Sequence, residues 1–121
     1  MLFRSDYAGA ETEYRAVLER DRDHLDAQVA LGAALRGQGD HAGARRAYQA
    51  VLDDNPNHPA ALFNMAVLMA EFLDQRPQSR ELFQRFLRVA PSSGRHREMA
   101  EQFLRDIPDP NAPAPGDGGA S

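Results

Sequence analysis

The chain contains no cysteine and no lysine. Without cysteine there is no thiol nucleophile, no disulfide and no thiolate metal site. Without lysine there is neither a Schiff-base amine nor the lysine of a phosphate-binding loop, which removes two classes of enzyme. All 14 basic residues are therefore arginine; with the many alanines, this fits codon bias in a GC-rich bacterial genome. No apolar run approaches the ~20 residues of a membrane helix. Met1-Leu2-Phe3-Arg4-Ser5-Asp6 also lacks the basic-then-apolar layout of a secretory signal. As written, the chain is expected to be cytoplasmic and not inserted in a membrane. Its formal charge is −4, and two of the acids, Asp109 and Asp117, lie close to the C-terminus. Nothing resembles the basic patch that a phosphate backbone requires, so no nucleic-acid partner is expected. A length of 121 residues suits one small domain with a modest core.

What is present is a repetition. Residues 6–24 and 40–58 are one segment written twice, 34 positions apart: Asp6/Asp40, Ala8/Ala42, Gly9/Gly43, Ala10/Ala44, Tyr14/Tyr48, Ala16/Ala50, Val17/Val51, Leu18/Leu52 and His24/His58 are identical. A third copy follows at an offset of 35, where Ala44, Tyr48, Leu52 and Pro56 become Ser79, Phe83, Leu87 and Pro91. A period of this length, with small, aromatic and proline residues at fixed places, marks a helix–turn–helix solenoid. Repeats of that kind are stabilised mainly by stacking on their neighbours.

Apolar spacings of three and four predict helices over Asp6 to about Asp21, Asp26–Arg36, His41 to about Asp53, Ala60 to about Phe72 and Pro77 to about Val89. Gly37-Gln38-Gly39-Asp40 breaks the second and offers Asp40 as an N-cap. Pro56 stops the third and Pro59 suits the start of the fourth. Residues 95–107 form a further amphipathic stretch outside the repeat, with Met99, Ala100, Phe103, Leu104 and Ile107 on one side. It is expected to be a helix covering the open end of the stack. The Pro/Ala/Gly/Asp-rich tail, 108–121, is expected to be disordered.

These residues resemble the tetratricopeptide repeat, whose 34-position pattern asks for small residues at positions 8 and 20, large or apolar ones at 11 and 27, an aromatic at 24 and proline at 32. The repeat Leu25–His58 matches with Gly32, Leu35, Ala44, Tyr48, Val51 and Pro56. The repeat 59–93 matches with Ala66, Met69, Ser79, Phe83, Phe86 and Pro91. The resemblance implies an all-α, right-handed α–α superhelix of about two and a half repeats: a half repeat 1–24, repeats 25–58 and 59–93, and the capping helix 95–107. Gly32 and Ala44 are expected to face each other within a repeat, and Tyr48 and Phe83 to fill the gap between repeats. Gln28 and Leu62 depart from the tryptophan often found at their position, Arg22 replaces the first proline, and Met1 aligns with position 11 of the first repeat.

The four histidines do not suggest a metal site. His24 and His58 share one repeat position, and stacked helices lie roughly 10 Å apart, whereas zinc ligands need bonds of ~2 Å. The serines at 5, 92, 93 and 121 and the acidic pairs Asp21/Asp23 and Asp53/Asp54 read as turn and surface chemistry. Neither an enzyme nor a cofactor is expected, and no small-molecule substrate.

The resemblance instead implies a protein-interaction module, with the first helix of each repeat lining a concave groove. Carried over by position, the partner-binding residues are Asp26, Val29, Ala33 and Arg36, then Phe63, Val67 and Glu71, with Asn64 beside them. Chaperone-binding members grip a carboxylate with lysine, asparagine and arginine; of the matching positions only Asn64 fits, which disfavours that role. The strip Val29, Ala33, Phe63 and Val67 reads either as a groove for an apolar or helical segment of a partner protein, or as internal packing. Two further readings concern context: the chain as one end of a longer repeat protein, or as a periplasmic or envelope-assembly factor. Both would require coding sequence upstream of Met1.

Overall fold

A computed structural model describes residues 6–112. Six α-helices follow one another: α1 (Tyr7–Arg20), α2 (Leu25–Gly37), α3 (His41–Asp54), α4 (Pro59–Glu71), α5 (Arg76–Val89) and α6 (Arg95–Asp106). Each packs on the next in the chain, and α2 also packs on α4. Among the described residues α3 and α5 form no comparable contact. The layer of α2 and α4 is thus drawn together while the opposite layer splays, which makes the α2/α4 side the inner side of the curve.

The helix starts explain much of the internal repetition. Asp6 and Asp40 cap α1 and α3, each carboxylate accepting a 2.8 Å hydrogen bond from the backbone N–H of Gly9 or Gly43. A Cβ on either glycine would come within 2.3 Å of that carboxylate, so aspartate and glycine recur as a pair. His24 and His58 are caps too. Their Nδ1 atoms accept from the N–H of Ala27 (3.0 Å) and Ala61 (3.2 Å), satisfying donors that a helix N-terminus leaves free. The turn after α2 closes with Gly39 in the left-handed region (φ 86°). Asp40 N–H donates to Leu35 O and Gly39 N–H to Arg36 O, the paired bonds that end a helix on a glycine.

The core runs through α2–α5, with Tyr48, Val51, Leu62, Leu68 and Phe83 fully enclosed. Gly32 lies against the ring of Tyr48. A Cβ there would lie 2.5 Å from that ring, so the glycine is the seat of an aromatic within its own repeat. At the third copy Ser79 replaces Ala44 and is fully buried; its hydroxyl donates to Arg76 O at 2.7 Å.

Arginines close the helix C-termini. Arg85 donates to Pro56 O beyond α3, and Arg97 to Leu87 O and Pro91 O at the end of α5. Arg80 donates to Leu104 O and Ile107 O at the end of α6. A planar guanidinium can serve two carbonyls at once, which suits these orphan acceptors. Helix α6 covers α5 by stacking Phe103 on Phe83 (ring centroids 4.6 Å apart) and burying Ala100. Beyond α6, Asp109 sits 4.0 Å from Arg80 and accepts from the N–H of Asn111 and Ala112, forming a turn. The rest of the expected disordered tail, 113–121, lies outside the described residues.

Candidate partner-binding surfaces

The residues expected to line the groove lie along α2 and α4, two neighbours in the inner layer. They divide sharply by exposure. Asp26 and Glu71 are exposed, and Ala33, Arg36 and Asn64 are half-buried. Val29, Phe63 and Val67 are buried. The three large apolar side chains of the strip are therefore packed inside the chain, and Ala33 stays partly open beside the polar residues.

Phe63 shows why. Only 7% of it is exposed, because its ring meets Phe83 (6.2 Å), Phe86 (5.2 Å) and His96 (4.7 Å). Sequence position placed it on the inner helix, but α5 and α6 close over it from the side. What stays open is a cleft of about 380 Å³ above that ring, between the start of α4, the end of α5 and the start of α6. Its apolar floor is Pro59, Ala60, Phe63 and Phe86, and Asn64, Arg95 and His96 border it. The cleft shares Ala60, Phe63 and Asn64 with the inner face of α4, so it continues the groove toward α6.

The polar residues have prior engagements. Asp26 lies 3.6 Å from Nε2 of His58, which leaves that ring's Nδ1 aimed at Ala61 N–H. The Asn64 amide donates to Ala60 O at 2.8 Å, within its own helix. Arg36 places its positive charge near Tyr48, whose phenol burial pushes above its usual range, the arginine partly opposing the shift. Among the described residues no three of His, Asp or Glu gather in a geometry that could hold a metal ion.

Sequence reasoning missed the histidine caps and the cleft. The caps had a signal, His-x-x-Ala at the same place in two repeats, overlooked because histidine is not among the usual capping residues. The cleft had none: Arg95 and His96 belong to the helix outside the repeat, and only tertiary packing brings them to Phe63.

This architecture is that of an all-α helical-repeat solenoid, a class whose surface holds other proteins. Comparison with family profiles is specific: descriptions of the tetratricopeptide repeat match residues 2–59 and 35–100. The chain belongs to the tetratricopeptide-repeat family and is a protein–protein interaction module. No curated protein matches it in sequence. No helix among the described residues is long and apolar enough to cross a membrane.

Proposed function

We propose that the inner face of α2 and α4 binds a segment of a partner protein, which inserts one apolar side chain into the cleft over Phe63 while its backbone and polar groups meet Asn64, Arg36, Glu71 and Asp26. The cleft carries this reading, since it offers apolar floor beside convergent polar groups, the combination typical of binding sites. Binding by an adaptor or assembly subunit, without a catalytic step, is the role it supports.

The test is selection of peptides against the full chain from a displayed random library, followed by Ala60→Trp. Ala60 is exposed at the cleft, so tryptophan fills the space without disturbing the core. Selected peptides should share an aromatic or aliphatic anchor and lose at least about tenfold in affinity, the ~1.4 kcal/mol of one displaced anchor. Peptides that bind Ala60→Trp as well as the parent would place the site elsewhere.

A further inference from the structure

The internal duplication makes α1 and α3 a natural comparison, because identical residues stand in two environments. In α3, Ala44, Tyr48 and Val51 are fully buried. Their counterparts in α1 are Ala10, Tyr14 and Val17; none is buried, and Val17 is 37% exposed. The difference lies in the neighbours. Helix α3 is held between α2 and α4, whereas among the described residues α1 packs closely only on α2. Its α2 side is fully used: Tyr7 lies on Gly37, and Glu11 accepts from Gln38 at 2.9 Å, a bond that with Arg15 holds its carboxyl below the usual range. The opposite side, carrying Ala10 and Val17 with Tyr14 at its edge, has no helix on it among the described residues.

The chain itself shows what covers such a face. On α3 the equivalent surface is covered by α2, which seats the Tyr48 ring on Gly32. A larger residue would meet the ring at 2.5 Å, so the matching helix must be small at that point. Among the positions that are buried in α3, one differs in α1. Where α3 has the buried Ala47, α1 has Glu13, which is exposed and forms no ion pair among the described residues. Glu13 also sits at the middle of α1 (Tyr7–Arg20). A second copy packed antiparallel on this face would therefore set Glu13 against Glu13, a like-charge contact that disfavours self-association.

We propose that the open side of α1 is a docking site for an amphipathic helix of a partner protein, one that sets a glycine or alanine against Tyr14 and an arginine or lysine against Glu13. This surface is separate from the cleft between α4, α5 and α6.

The probe is a peptide with the sequence of α2, Leu25–Gly37, titrated into the isotope-labelled full chain. Saturable amide shifts are expected at Ala10, Tyr14 and Val17. Affinity should fall at least tenfold for the peptide carrying Gly32→Leu and for the protein variant Val17→Asp, whose exposed site leaves the fold intact. Arginine substituted singly at positions within a turn of Gly32 in the peptide should include one version that binds at least tenfold more tightly, a gain that disappears in Glu13→Gln. No saturable shift at millimolar peptide, equal binding of the Gly32→Leu peptide, or the absence of any arginine gain would overturn the proposal. So would concentration-dependent dimerisation of the chain abolished by Val17→Asp, since it would make a second copy the occupant.

Discussion

Tyr48 is wholly enclosed, and its hydroxyl has no hydrogen-bond partner among the described residues. An unpaired buried hydroxyl costs about 1–3 kcal/mol, so Tyr48→Phe should hold or raise stability, by up to about 1 kcal/mol in a denaturant melt. Burial also raises the phenol's pKa in the folded state, with Arg36 partly opposing. The folded chain thus holds this proton more tightly than the unfolded one. That stability is complete below the unfolded pKa of about 10 and declines as pH rises through the folded value. Melts taken from pH 9 to 11 should show Tyr48→Phe losing less than the parent. His58 gives a second residue-level outcome. His58→Ala removes the acceptor for Ala61 N–H and should cost about 1 kcal/mol, while His58→Asn should recover most of it; equal losses would show that the Asp26 contact, and not the cap, is what matters.

At the scale of elements, α6 is fastened to α5 by two arginines, Arg80 and Arg97. Arg80 reaches from α5 to two carbonyls at the far end of α6 and to the Asp109 turn. Arg80→Lys keeps the charge but loses the fork, so both Lys and Ala variants should lose stability, by about 1.5–3 kcal/mol for alanine. Hydrogen exchange should rise first in α6. Phe63 joins α4 to the same helix through His96. Phe63→Asp would place a charge among Phe83 and Phe86 and should cost at least about 3 kcal/mol. A folded Phe63→Asp protein with an unchanged melt would mean that the ring lies open to the groove after all.

For the whole molecule, stability depends on neighbours, as in any stack of repeats. Ending the chain at Gly94 would uncover Phe83, which is fully buried beneath Phe103, and aggregation is the expected result in light scattering. Ending it at Ala112 keeps every contact described above and should leave the melt unchanged. The two ends differ: α6 closes one with charged residues outward, while α1 leaves apolar side chains open at the other.

The period, the helices and the core positions shared by the repeats were legible in the sequence alone, because each repeat reuses one local pattern and local pattern sets helix starts, stops and faces. Asp40 as a cap and the burial of Tyr48 and Phe83 followed from that. Exposure along the inner face was not legible. Val29, Phe63 and Val67 occupy groove positions by register, yet they are buried because neighbouring helices close over them, and the angle of α6 has no counterpart in the repeat. The same holds for Tyr14 and Tyr48: one residue type in one sequence context, covered in α3 and open in α1. Sequence determined which residues could enter a core. Whether each does depends on a second helix arriving from elsewhere in the chain, and that was decided only by the tertiary structure.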